Sequence, residues 1–340
     1  GGPPPPAVCL RAARYSPSHG PRHGAATRLD CPPHPRSAIL PHMATDSIEI
    51  VACPPNLAND AFAIVLRDLA PEQRREFAKS CRGQLDSDTT LFAAIRNTMV
   101  VDAAWGQPQP GNTAILWPPE HTNETARQLV RAATVALDTR GIRMTQAMLL
   151  ERAAPSAALL ETSSFAHLVE LLYLTWEAST IEPSTADELD FEKYDESQLA
   201  RLTQLTEATY AGTRDCPAMN GRRPMCEVID GYRATGHFRP ENWKFVRADG
   251  HDVGVLLLAD HGSANYWELV YMGVVPEKRG RGWGREIVRH AQRCAHRAGA
   301  ERMLVAVDAD NAPAIDVYRT ANFIAWDRRS VYVRFHEDAS

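Results

Sequence analysis

The sequence predicts an α/β chain made of two copies of one fold, each a mixed, mostly antiparallel sheet flanked by helices. Three observations carry this. Strand-like and helix-like segments of the C-terminal half follow in the order βββ, helix, β, helix, β, which requires antiparallel and parallel pairs in one sheet. Landmark residues recur at a fixed offset of 158 positions. The 340 residues, 44% of them hydrophobic, are enough to bury more than one core.

In the C-terminal half, residues 196–210 (ESQLARLTQLTEATY) and 224–235 carry helical periodicity, with Pro224 suited to a first turn. Strands are expected at Trp243 to Arg247, Val253 to Ala259 and Tyr266 to Val275, the first two joined by an Asp249-Gly250 turn. The third is apolar on both faces and belongs at the centre of the sheet. Strict alternation along it sets Glu268 on one face with Val270, Met272 and Val274.

A helix follows, with Gly284, Ile287, Val288, Ala291, Ala295 and Ala298 on one stripe and Arg285, Arg289, Gln292, Arg293 and His296 opposite, until Gly299 stops it. A buried strand at Met303 to Val307 comes next, then a short helix opened by Asn311 and Pro313. Two strand-like runs end the chain, Phe323 to Trp326 and Val331 to Phe335.

The 158-residue offset relates Gly141 to Gly299, Phe165 to Phe323, Pro155 to Pro313, Pro118 to Pro276 and Val130 to Val288. It includes the helix-stopping glycine and the prolines that open elements, which reads as a tandem duplication. The expected units are 43–180 and 185–340. Residues 1–42 differ: ten of the chain's 24 prolines and five arginines accompany a single acidic residue, Asp30. Such a segment cannot build a core and is expected to be a disordered extension. Its prolines exclude the amphipathic helix of a transit peptide, and Met43, just before the strand-like run at Ile48, is a candidate start.

Composition also excludes several function classes. No apolar run approaches the roughly 20 residues of a membrane span. A formal net charge of -5 argues against general nucleic-acid binding. Seven scattered cysteines, none in a CxxC pair, signal neither a disulfide framework nor a metal site and suit reduced thiols in a cytoplasm.

The stretch VVPEKRGRGWGRE, residues 274–286, carries the chemistry. Gly280, Gly282 and Gly284 let the backbone approach a ligand, and the following helix offers unpaired N–H groups, so the loop suits an anion. Arg279, Arg281 and Arg285 add charged donors. The stretch lacks the GK[ST] of a Walker loop and the spacing of a Rossmann fingerprint.

In context, Arg-x-x-Gly-x-Gly after a buried strand and before an amphipathic helix resembles the acetyl-CoA signature of the GNAT family of N-acetyltransferases. Asn311, Ala314, Tyr318 and Phe323 resemble that family's second motif. The likeness covers roughly residues 188–336 and departs at Asn322, where the family has glycine, though asparagine tolerates the left-handed conformation. It implies that the backbone of Val274 and Val275 pairs with the pantetheine arm of acetyl-CoA and that N–H groups from Arg279 to Arg285 hold the pyrophosphate. Asn311 opens the cofactor-facing helix, or serves only as its N-cap. Trp283 is then a hydrophobic plug or adenine neighbour, or packs the helix start on the sheet.

Acetyl transfer to an amine needs a base and a proton for the departing thiolate. Glu268, the only acidic residue in NYWELVYMGVV, is the candidate general base if burial raises its pKa, and otherwise a strand-end partner for an arginine. Tyr318 is the candidate general acid, or a core tyrosine. The resemblance implies direct transfer in a ternary complex, which leaves no role for Cys216 as a nucleophile. Arg214, Asp215, Asn220 and Arg222 lie in a loop that either contacts a small-molecule amine acceptor or is a solvated turn. A sensor that binds acyl-CoA without turnover is the alternative; it would need neither Glu268 nor Tyr318.

At the 158-residue offset, His121, Glu124 and Ala126 stand in for Arg279, Gly282 and Gly284, and Leu160 for Tyr318. The first copy therefore loses the anion cradle and the acid, and is expected to be structural.

Overall fold

The computed structural model describes residues 47–69, 74, 90–150, 154–178, 188–262 and 265–336. The Pro/Arg-rich extension, Met43 and the expected junction between the copies lie outside the described residues. In the first half the strands are β1 (Glu49–Ala52), β2 (Leu91–Arg96), β3 (Met99–Gln109), β4 (Thr113–Trp117), β5 (Met144–Leu150) and β6 (Ala166–Glu177), with helices α1 (Ala58–Val65), α2 (Glu124–Asp138) and α3 (Ala154–Thr162). In the second half they are β7 (Asp190–Lys193), β8 (Trp243–Ala248), β9 (His251–Asp260), β10 (Tyr266–Val274), β11 (Arg302–Asp308) and β12 (Ile324–Phe335), with α4 (Leu199–Tyr210), α5 (Met225–Arg233), α6 (Trp283–Arg297) and α7 (Ala312–Thr320).

The offset is structural. The starts of β5 and β11 (302 minus 144), α3 and α7 (312 minus 154) and β6 and β12 (324 minus 166) all differ by 158. The helix interiors agree: Leu129, Val130, Ala133 and Leu137 of α2 are buried, as are Ile287, Val288, Ala291 and Ala295 of α6. Each large apolar side chain buried in this way contributes about 1.5–3 kcal/mol. Both helices end alike, with Gly141 at φ 73° and Gly299 at φ 77°. The next N–H turns back in each, Ile142 to Leu137 at 3.2 Å and Ala300 to Ala295 at 3.0 Å.

The two halves share one sheet, ordered β1-β2-β3-β4-β5-β12-β6-β11-β10-β9-β8-β7. Only β4 with β5 and β10 with β11 run parallel; the other neighbours are antiparallel. The last strand of each half crosses over, so β6 pairs with β11 and β12 pairs with β5. At the seam Leu171 lies opposite Arg329, its own counterpart at the 158 offset, so the pseudo-two-fold relation passes through that pair. Asn112 Nδ2, donating to Glu227 Oε1 at 2.9 Å, and an Arg223 nitrogen, donating to Gly111 O at 2.8 Å, further tie the β3–β4 turn to α5.

Three expectations need correction. The two terminal runs are one strand, β12, interrupted by register shifts at Ala325/Asp327 and Val331/Tyr332. Gln292 is not on a solvated face: it is buried and donates to Ala321 O at 2.7 Å, holding α6 to the end of α7. The run of β10 does not alternate strictly, because Leu269 pairs with Leu258 and Tyr271 with Leu257, leaving Val270 as a bulge. Glu268 and Val270 therefore share a face with Tyr271, toward α4 and α5, while Met272 and Val274 join the core under α6. A run apolar on both faces carries no periodicity from which that shift could be read.

Candidate active site

The site is built on the splaying of β10 from β11. These strands pair only at Tyr266↔Arg302, Trp267↔Met303 and Glu268↔Leu304, after which the bulge turns β10 away. Glu268 thus stands at the apex of a V whose open end carries the glycine loop. Val275 N–H donates to Val253 O on β9 at 2.9 Å. By the pleat, the main-chain groups of Met272 and Val274 then point into the V. Val275 itself faces away, and the carbonyl of Val274 already accepts from Arg279 Nε at 3.0 Å. The usable edge is the N–H and C=O of Met272 and the N–H of Val274.

Two glycines shape the loop. Gly280 (φ 78°) and Gly282 (φ 82°) adopt the left-handed conformation, and Gly282 caps α6, whose first N–H groups have no partner within the helix. The cradle is narrower than expected. The N–H of Arg279 is taken by Pro276 O at 3.2 Å and that of Arg285 by Gly282 O at 3.0 Å, so the candidate donors narrow to residues 280–284. A cavity of about 260 Å³ lies against them, bounded by Met272, Val274, Lys278 and, from α7, Pro313 and Val317.

The arginines divide. The Arg279 guanidinium does not reach into the cradle; besides Val274 O it donates to Gly212 O at 3.0 Å and Thr209 O at 2.7 Å, clamping the end of α4 to the exit of β10. Arg281 is exposed, its guanidinium 5.3 Å from the Trp283 ring. Arg285 is exposed, 3.4 Å from Asp316 Oδ2. Trp283 is buried in the core beneath α6, and its indole N–H donates to Glu188 at 3.3 Å, so it packs the helix start on the sheet.

Glu268 is largely buried, and its Oε2 lies 2.9 Å from His261 Nε2 rather than beside an arginine. His261 stacks on Tyr266 with ring centroids 4.3 Å apart. Sequence reasoning missed His261; its position seven residues from Glu268, across the β9–β10 turn, was the available signal. Tyr318 is fully buried against Phe323, and its hydroxyl has no hydrogen-bond partner among the described residues. Burial, and secondarily Asp215, push this phenol up, so it keeps its proton. The ring belongs to the core under α6, on the helix whose Pro313 and Val317 bound the cavity.

The 212–223 loop is partly inside the protein. Asp215 and Cys216 are buried, whereas Arg214, Asn220 and Arg222 are exposed. Asp215 Oδ1 accepts from Asp308 N at 2.9 Å and from Asn311 Nδ2 at 3.4 Å. Asn311 also caps α7 by accepting from Ala314 N at 3.3 Å, so it joins the loop to the helix carrying Tyr318. Asn220 donates to Tyr210 O at 3.4 Å, and Arg222 lies over Phe335 at 5.2 Å. Burial pushes the Cys216 thiol up, which disfavours the thiolate a nucleophile needs. Asn322 takes the left-handed conformation at φ 62°.

The same loop in the first copy holds a carboxylate of its own chain. Asp102 accepts from the N–H groups of Glu120 (2.9 Å) and His121 (3.1 Å), and His121 Nδ1 lies 3.0 Å away. Glu124 is already helical where Gly282 caps α6, Asn123 closes the helix end on Ala126 N at 3.1 Å, and Leu160 is buried at the counterpart of Tyr318. At the 158 offset these two N–H groups correspond to Lys278 and Arg279, at the edge of the glycine loop.

Residues 208–323 match the acetyltransferase (GNAT) family. Over 95 residues the chain is 30% identical to the mycothiol acetyltransferase of Streptomyces bingchenggensis (strain BCW-1), covering 28% of this chain and 31% of that relative. The match therefore spans about a third of that curated relative's length. In fold, the chain is similar to a GCN5-related N-acetyltransferase from Sphaerobacter thermophilus, with a TM-score of 0.60 at 13% identity over 86% of this chain and 97% of that one. It is also similar to a tandem GNAT protein from the clavulanic acid biosynthesis pathway, with a TM-score of 0.50 at 13% identity over 86% of this chain and all of that one (100%). No helix of the described residues is long and apolar enough to cross a membrane.

Proposed function

We propose that this chain, a member of the GNAT family, moves an acetyl group from acetyl-CoA to the amine of a small-molecule acceptor while holding both. The observation that carries the reading is the V between β10 and β11, with Glu268 at its apex, the N–H cradle at its mouth and, buried on the helix that bounds the cavity, Tyr318 with a hydroxyl that has no partner among the described residues. The fit to the co-substrate is chemical: residues 280–284 present N–H donors to phosphates, and the Met272–Val274 edge can pair with an amide-bearing arm.

Acetyl-CoA supplies the acyl carbon and the thiol leaving group. Glu268 accepts the proton the amine loses as the C–N bond forms, with His261 orienting its carboxylate. The outward N–H of Met272, nearer the apex, is the donor for the developing oxyanion, which leaves its carbonyl and the N–H of Val274 to the arm. Tyr318 gives its proton to sulfur as the C–S bond breaks. The first copy, its loop closed on Asp102, buttresses the sheet and binds no acetyl-CoA.

Release of free thiol across a panel of amines tests this. Wild type should release thiol with at least one amine and Glu268→Gln should not. Acetyl-CoA binding with no thiol release from any amine would leave an acyl-CoA sensor instead.

A further inference from the structure

Strand exchange brings residues of the first half into the wall of the second half's site. On the face that carries Glu268, Leu304 of β11 adjoins Thr175 of β6, which adjoins Ile324 of β12. One pleat toward the open end of the V, Ala306 adjoins Tyr173, and Tyr173 adjoins Asp327. One pleat further, Leu171 adjoins Arg329. A molecule lying across these strands from the V therefore passes over Ala306 and Tyr173 before it meets β12.

The far wall carries an aromatic platform and a charged fork. Trp326 is the extra residue between the paired positions Ala325 and Asp327; it is 45% exposed, and its ring centroid lies 6.0 Å from that of Tyr173. Arg329 Nε donates to Asp327 Oδ2 at 2.8 Å, which orients the guanidinium while using only one edge of it. Its terminal nitrogens form the edge that grips a carboxylate with two hydrogen bonds. Tyr173 lies within electrostatic reach of Glu268, Asp327 and Arg329.

We infer that Tyr173, Trp326 and Arg329 select the acceptor, and that the acceptor is an extended amine bearing a carboxylate roughly 10 Å from the reacting nitrogen. The backbone positions of Glu268 and Arg329 are three strand spacings of about 4.8 Å apart across the sheet and four residues of about 3.3 Å apart along it, roughly 20 Å in all, of which the two side chains span about half. The methylene or ring portion lies on Trp326, which the buried Tyr173 backs from the core, and the carboxylate meets Arg329. This rests on the acetyl-transfer reading above, and it gives the strand exchange a role in specificity.

The test uses the full chain, acetyl-CoA and a series of linear ω-aminocarboxylates with about two to about eight methylenes, each matched with its primary amide; the longer members span the required distance. Wild type should favour the longer carboxylates over their amides. Arg329→Gln should raise KM for those carboxylates roughly tenfold or more, with kcat, the amide KM and the acetyl-CoA KM unchanged, and Arg329→Lys should restore part of the preference. Trp326→Ala, at an exposed position, should raise KM for long carboxylates and long amides together. A carboxylate preference that survives in Arg329→Gln, or no dependence on length, overturns the inference and leaves acetyl transfer standing. No transfer by wild type to any amine overturns both.

Discussion

Asp215 and Asp308 each accept a backbone N–H from the other's segment: Asp308 N donates to Asp215 at 2.9 Å and Cys216 N donates to Asp308 at 3.0 Å. Burial pushes the Asp215 carboxyl well up, and its Oδ2 has no partner among the described residues. The folded state thus holds this proton more tightly than the unfolded chain, so stability falls as pH rises above the ordinary carboxylate range. The stability difference between Asp215→Asn and wild type should move in the variant's favour between about pH 4 and about pH 7. Urea unfolding at both pH values measures it, and a difference that stays constant would contradict it.

Tyr318 predicts an opposition between activity and stability. Its hydroxyl is buried without a partner, which costs about 1–3 kcal/mol if nothing binds there. Tyr318→Phe should therefore be as stable as wild type or more so, yet lose roughly a hundredfold or more in kcat. Thermal unfolding and thiol release on one preparation check both halves; full activity in the variant would remove Tyr318 from the mechanism.

Glu268 and His261 separate base from support. Glu268→Gln should cut kcat by about two to four orders of magnitude with acetyl-CoA KM nearly unchanged. His261→Gln keeps a donor near the carboxylate and should lose much less. Equal losses in the two variants would mean that His261 shares the proton transfer.

In the first copy, Asp102 is the acceptor for two loop N–H groups, so Asp102→Ala should destabilise by about 1–3 kcal/mol per donor left buried. Inorganic phosphate should then raise Tm more for the variant than for wild type, because the emptied loop becomes an anion site. An identical response to phosphate would argue against that equivalence.

Arg279 should behave as a clamp. Arg279→Lys cannot reach the carbonyls of Val274, Gly212 and Thr209 together, and should lose about 2 kcal/mol of stability. Arg281→Ala, at an exposed position, should leave Tm unchanged and weaken acetyl-CoA binding; Tm and KM measured side by side distinguish the two roles.

Local chemistry was legible in the chain. The left-handed glycines, the stop at Gly299, the Asn311 cap and the Asp249-Gly250 turn each follow from what one residue type permits in its own backbone, so sequence alone determined the loop, its helix and the duplication. Tertiary structure decided what depends on distant partners. Val270 bulges within a run whose apolar faces give no period, and Arg279 meets carbonyls some 67 and 70 residues away. The strand exchange was hidden for a different reason. β6 and β12 occupy equivalent places in a repeat, so either could close either half, and only packing of the whole sheet sets Tyr173 beside Asp327 and Ala306, on the face that carries Glu268.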